Sequence, residues 1–369
     1  MKLSILKEDL LKGLNIASHA ISTGNTLPVL SNVLLRSEGN KLFFESTNLE
    51  IAIRYFLACD IDNEGEITLP SRFFYSYISL LKDETININT IEGNTVNIVS
   101  SNSKTQIKGL SSKDFPQIPS IKRQFEFSLP AKKIHESVSQ VVFAAAVNSV
   151  RPILSGVMLL GNKNQIKIVA TDSFRLSEKV LKLDQELEGE FKIIVPAKTM
   201  IEIGRLAHES LDENFNIIVS DNQILFKINN IELYSRLIDG QFPNYEQVIP
   251  QNGKSKIIVD KDELAQNIKR ISLFSKENNH NIKLFVSPED KSLTITTDIT
   301  QIGTEESTLQ AEIEGDEVKI ALNSEYLLDV LNTLPTGNII LSIENKLAPS
   351  LLKHEKVSDF LHVIMPLKL

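Results

Sequence analysis

The chain has no tryptophan, four methionines and a single cysteine, Cys59. One cysteine excludes an internal disulfide framework and a cysteine-rich zinc site together. No apolar run approaches the length of a membrane span, and there is no low-complexity tract. The first ten residues (MKLSILKEDL) carry charges where a secretory signal would need an apolar region, so the expected compartment is the cytoplasm. Catalytic signatures are missing too. There is no phosphate-binding GxxxxGK(S/T) loop, no GxSxG elbow and no HExxH; His135-Glu136 and His208-Glu209 lack the second histidine. Six scattered histidines suggest no metal cluster, and neither metal nor cofactor is expected.

What is present is a repeat. The alternating segment 165–172 (QIKIVATD) has the same shape as 41–48 (KLFFESTN) and 291–298 (KSLTITTD), and Thr47, Thr171 and Thr297 recur at steps of 124 and 126 residues. A strand running into a helix start recurs with nearly the same step at 66–70 (EITLP), 192–196 (KIIVP) and 319–323 (KIALN). Pro70 and Pro196 are expected just inside helix starts, and Asn323 as a cap. At 369 residues the chain divides into three lengths of ordinary domain size, each long enough to bury a core.

Within each third the order is the same. An amphipathic helix is expected from Glu8 to Ile21 (Leu10, Leu14, Ala17, Ile21 inward), another on Ile134, Val138, Val141 and Val142, and a third on Leu264, Ile268 and Ile271 behind a capping box of Asp260 and Glu263. Second helices are expected over 71–82, 197–208 and 324–334. The runs 27–35 (LPVLSNVLL) and 151–160 (RPILSGVMLL) match almost position for position and are expected as core strands. Helices apolar on one side only, beside alternating strands, imply an α+β fold with two helices on one face of antiparallel sheets in each of three tandem repeats. The boundaries fall at 1–121, 122–250 and 251–369.

The net charge of −8 argues against a protein that coats nucleic acid over its whole surface, but leaves room for a local basic face. Off the apolar stripes lie Lys12, Arg72, Lys82, Lys132, Lys133, Lys198, Arg205, Lys261, Lys269 and Arg270. Either these are ordinary solvated helix faces, or together they form a diffuse basic lining.

Three repeats, combined with 170–176 (ATDSFRL), 239–245 (DGQFPNY) and 363–369 (VIMPLKL) in that order, resemble the bacterial sliding clamp family, the beta subunits of DNA polymerase III. The resemblance spans the whole chain. It implies a non-catalytic DNA-replication processivity factor: a homodimer joined head to tail into a ring of six pseudo-equivalent domains, helices lining the hole. The ring would encircle double-stranded DNA without reading its sequence and tether the replicative polymerase alpha subunit, the clamp loader and other proteins carrying a clamp-binding motif. No membrane is involved.

Carried over position by position, the resemblance puts a peptide-binding groove at Leu154, Thr171, Ser173, Phe174, Arg175, Leu176, Pro243, Gln247 and Val248, with Val363, Ile364, Met365, Pro366, Leu367, Lys368 and Leu369, and a second lobe at Arg151, Ile153, Tyr326 and Leu347. Leu176, Val248, Val363 and Met365 are expected to form an apolar cup, with Arg175 orienting an extended peptide. DNA contact adds Asn148 to the basic set, and in related clamps also the loop holding Gly24 and Asn25. Ring closure is expected between Thr105 and Ile107 on one chain and Leu273 and Phe274 on the other, with Lys104 and Lys108 facing Glu305 and Glu306; Ile107 and Phe274 fit their own domain cores equally well. Two other readings stay open: a repeat-built scaffold that never encircles DNA, and a hydrolase using Asp172 or a His-Glu pair.

Overall fold

The computed structural model describes residues 1–22, 27–100, 103–118, 120–147, 149–251, 253–299 and 301–368. Gly24, Asn25, Asn148 and Leu369 lie outside the described residues. Six α-helices occur among those described: α1 Lys7–Ser18, α2 Ser71–Leu80, α3 Ala131–Val141, α4 Ala197–His208, α5 Lys261–Ser275 and α6 Ser324–Leu331, two per repeat. Their starts show the triplication in atomic detail. The first backbone N–H of α1 donates to Glu84 O at 2.7 Å, that of α3 to Glu213 O at 2.8 Å and that of α5 to Gly337 O at 2.9 Å.

Caps follow side-chain chemistry. Asn323 Oδ1 accepts from the backbone N–H groups of Glu325 and Tyr326, and Asp260 Oδ1 from that of Glu263 at 2.8 Å, so the Asp260 half of the expected capping box forms. Pro70 and Pro196 end their strands and stand at the N-cap, one residue earlier than expected. Residues 27–35 and 151–160 are not continuous strands. Pro28–Ser31 and Pro152–Ser155 form 3-10 turns, and strands begin only at Asn32 and Gly156. The proline ring presets the turn and forces the residue before it, Leu27 or Arg151, into extended backbone. Ser31 and Ser155 Oγ then close each turn on the proline carbonyl at 2.7 and 2.6 Å.

By internal contacts the chain forms two compact units, Met1–Ala131 with Ser210–Leu237, and Lys132–Glu209 with Ile238–Leu369. The repeats are therefore not three separately closed sheets. In the first unit an eight-stranded antiparallel sheet runs Phe125–Pro130, Asn214–Val219, Gln223–Ile228, Ile231–Arg236, Ile51–Ala58, Lys41–Thr47, Asn32–Glu38, Gly65–Pro70. It crosses from the second repeat to the first where Ile231 pairs with Tyr55 and Ser235 with Ile51. In the second unit a nine-stranded sheet crosses from the second repeat to the third where Arg175–Lys182 pairs with Val357–Ile364. Each seam joins the strand after one repeat's threonine turn to the last strand of another, which removes two sheet edges.

The corresponding strands left over are Glu306–Gln310, after the third turn, and Ser103–Lys108, the last of the first repeat. Each ends its sheet, of four and five strands respectively.

Helices pack on the sheets as their patterns require. In the first unit Leu10, Leu14, Ala17, Phe74 and Ile78 are buried, and Gly13 has no side chain because a Cβ there would stand 2.6 Å from the Phe44 ring. In the second, Leu264, Ile268 and Ile271 of α5 meet Leu327, Val330 and Leu331 of α6 over Ile339 and Leu341.

Candidate groove, interface and helix faces

The site is built on the Thr171 turn. Thr171 Oγ1 donates to Arg175 O at 2.7 Å and accepts from Ser173 N–H. Asp172 Oδ1 accepts from the N–H groups of Phe174 and Arg175 at 2.8 and 2.9 Å. This arrangement requires left-handed backbone at Ser173, φ 81°. The first repeat reproduces it: Thr47 on Ile51 O, Asn48 Oδ1 on Glu50 and Ile51 N–H, and Leu49 at φ 76°. The third does not. Asp298 bonds Asn278 and Lys283 instead, and Thr297 Oγ1 accepts from Glu305 N–H across a longer loop. Asp172 is thus a turn-forming carboxylate, short enough to bond its own backbone. Its remaining oxygen holds Arg175 Nε at 3.0 Å.

Arg175 is bracketed on every side. Beyond Asp172 it pairs with Asp329, and its guanidinium lies 4.4 Å from the Tyr326 ring centre and 5.4 Å from that of Phe143. Tyr326 and Asp329 stand one turn apart on α6, so that helix positions the arginine from both. Burial pushes the Tyr326 phenol above its ordinary pKa, with Asp172 adding to the shift. Asp329 and Phe143 were not expected from sequence; their only signal was the helical spacing of Asp329 from Tyr326.

The tail pairs with this turn. Leu176 stands opposite Val363 and Arg175 opposite Ile364; Met365 N–H continues the ladder to Phe174 O at 2.8 Å, and Leu367 N–H bonds Ala321 O at 2.8 Å. The expected cup needs correction. Leu176 is 2% exposed and Val363 1%, packed with Met158, Val169, Ile194, Phe242 and Tyr245, so they form core and not the open wall expected of them. Leu154 is buried as well, Ile153 half-buried against the same cluster. The apolar surface lies above: Phe174 is 58% exposed, Val248 43% and Leu347 77%. Pro243, Gln247, Arg151 and Lys368 are exposed, and Met365, Pro366 and Leu367 half-buried. Beneath them Tyr245 donates to the buried Glu178 at 2.6 Å, and burial, with Glu178, raises the Tyr245 phenol pKa strongly.

The expected basic residues divide into two groups. Lys12, Arg72, Lys82, Lys132, Lys198, Lys269 and Arg270 are exposed, Lys133 and Lys261 half-buried. Arg205 is held by Glu202 and Glu209 at 3.1 and 2.7 Å, Lys261 pairs with Asp262, and Arg270 with Glu305. Glu305, expected to face a lysine of another chain, therefore already carries an arginine of its own.

On the two leftover edge strands, Lys104, Lys108 and Glu306 are exposed, and Thr105 accepts from Tyr77 Oη at 2.8 Å. Ile107 is 4% exposed and cross-paired with Val96, so it belongs to its own sheet. Phe274 is half-buried and Leu273 58% exposed. Among the described residues no cluster of three or more histidine, cysteine or acidic side chains could hold a metal, and no helix is long and apolar enough to cross a membrane.

Models of the N-terminal, central and C-terminal domains of the DNA polymerase III beta subunit match residues 1–119, 128–244 and 246–368. Over their full lengths the chain is 27% identical to the beta sliding clamp of Bacillus subtilis, and 29% identical to that of Staphylococcus epidermidis with 99% of the relative covered. The solved DNA polymerase sliding clamp from Bacillus subtilis superposes with a TM-score of 0.96 at 28% identity, covering 100% of this chain and 99% of that one. The DNA polymerase III subunit beta from Pseudomonas aeruginosa gives 0.94 at 29%, with both chains fully covered. With all three domain models matched in order along a triplicated fold, this chain belongs to the DNA polymerase III beta subunit family.

Proposed function

We propose that this chain is the non-catalytic processivity subunit of a DNA polymerase III holoenzyme: two copies close head to tail around duplex DNA in the cytoplasm and slide on it while holding the polymerase. The observation that carries the ring is the pair of unused edges. Two internal seams follow one rule, post-turn strand to final strand, and the third instance, Glu306–Gln310 with Ser103–Lys108, is left to be made between chains. A heterologous contact repeated until it closes gives a ring. Charge favours the match, since Lys104 and Lys108 flank one edge and Glu306 the other. Leu273 supplies apolar surface beside it.

Within the ring the domains are 1–121, 122–250 and 251–369, with the helices inward. Lys12, Arg72, Lys82, Lys132, Lys198, Lys269 and Arg270 meet phosphates weakly and no base edges, as sliding requires. The peptide of a polymerase, clamp loader or repair protein rests on Phe174, Val248 and Leu347 above the closed core, running along Met365, Pro366 and Leu367. Arg175 fixes the shape of that surface through Tyr326 and does not reach for the peptide. Loading needs an external ATP-driven loader.

The test is topological. After loading, the protein stays on nicked circular DNA through a salt wash and leaves when the circle is linearised. Equal retention on both would mean a scaffold that binds DNA without encircling it.

A further inference from the structure

We propose that His135 of α3 and His208, the last residue of α4, form a two-histidine site for a divalent transition-metal ion of the zinc, nickel or copper class. The residues are 73 positions apart in sequence, and helix packing joins them. His135 and Val138 share one face of α3; Gly204 and His208 share one face of α4. A Cβ on Gly204 would stand 2.9 Å from Val138 Cγ1, so the bare glycine backbone lets the two helices approach.

That approach selects a tautomer. His135 Nδ1 lies 3.1 Å from the Gly204 carbonyl oxygen, which can only accept, so Nδ1 carries the proton and the Nε2 lone pair is left for a ligand. Metal-binding histidines characteristically hold their second ring nitrogen this way. The spacing fits as well. A metal–nitrogen bond of about 2.0–2.1 Å puts each ring centre about 3.2 Å from the ion, so two imidazoles at right-angle to tetrahedral spread have centres about 4.5–5.2 Å apart. The observed separation is 4.8 Å, with the planes inclined by 34°. His135 is half-buried and His208 exposed, so water completes the coordination. Lys132 lies one turn before His135 and opposes a cation, Glu136 beside it favours one, and the Arg205 charge near His208 is engaged by Glu202 and Glu209.

Untagged full-length protein is titrated calorimetrically with Zn²⁺ and Ni²⁺ at pH 7.5, alongside His135→Gln, His208→Gln and His280→Gln. One ion per chain is expected, bound at least tenfold more weakly by each of the first two variants and unchanged in the third. Thermal unfolding without metal verifies that each variant is folded, and the exposed His208 position keeps the test readable if His135→Gln is not. No binding in the parent, equal affinity in His208→Gln, or loss in His280→Gln instead overturns the site.

Discussion

Acid should destabilise the second unit through one residue, His362. It lies in Val357–Ile364 opposite Ser177, whose Oγ is 2.7 Å from Nδ1; the ring packs 5.5 Å from Phe143, and Nε2 is buried with no hydrogen-bond partner. Burial, and then the nearby Arg175 charge, lowers its pKa from 6.5 to about 3. The folded protein thus keeps His362 neutral where the unfolded chain protonates it. Between pH 6.5 and 3 the unfolded state binds the extra proton, so stability rises with pH across that window and is lost as pH falls through it. At pH 5 the interval below the unfolded pKa is 1.5 units, worth about 2 kcal/mol at 1.36 kcal/mol per unit. The assay is urea unfolding of the parent and His362→Gln at pH 7.5, 6 and 5. Their difference in free energy should shift by about 2 kcal/mol between the first and last, against the parent. The histidine ring protons give a direct readout by NMR, in which the His362 signal should not titrate between pH 8 and 5. A His362 midpoint near 6.5, or parallel pH dependence of the two proteins, would refute the reasoning.

Two substitutions separate groove from core. Phe174→Ala should leave the thermal midpoint almost unchanged, being exposed, while weakening a fluorescent clamp-binding peptide measured by anisotropy; Leu176→Ala should cost about 2–5 kcal/mol of stability as a buried truncation. A stable Leu176→Ala protein with lost peptide affinity would restore the open cup. Tyr245→Phe removes the donor from buried Glu178 and should cost about 1–3 kcal/mol in chemical denaturation, and an unchanged unfolding midpoint would deny that bond its role.

The helices and the threonine turn were legible because local chemistry determines them. One-sided apolar spacing gives α1 to α6, and a threonine hydroxyl that accepts from the N–H two residues on and donates to the carbonyl four residues on gives the turn at Thr47 and Thr171. At the third turn Thr297-Asp298 shares the residue types, but among the described residues Lys283, on a neighbouring strand, bonds the Asp298 carboxylate, a partner that local sequence does not announce. Leu176 was misplaced for a similar reason. An apolar residue on a strand reads the same whether it faces a groove or a core, and Phe242, Tyr245 and Val363, which bury it, are remote in sequence. The seams were illegible altogether, since the pairing of Ile53 with Leu233 leaves no trace near either residue.

In the proposed ring, the internal seams differ in chemistry from the one left to be made between chains. On one side of each internal seam the strand is mostly buried: Ile51–Ala58 hides Ile51, Ala52, Ile53, Tyr55 and Leu57, and Arg175–Lys182 hides Leu176, Ser177, Glu178, Lys179 and Leu181. The two unused edges alternate instead. Lys104, Gln106 and Lys108 face solvent on one, and Glu306, Thr308 and Gln310 on the other. A seam that parts must leave both strands stable in water, and charged, alternating edges do that while resisting indiscriminate pairing. In the proposed ring, closure there would rest on backbone ladder bonds, a few charges and the exposed side chain of Leu273. High salt should therefore weaken the intermolecular seam while sparing the internal ones, because screening acts on exposed charge pairs and leaves buried cores intact.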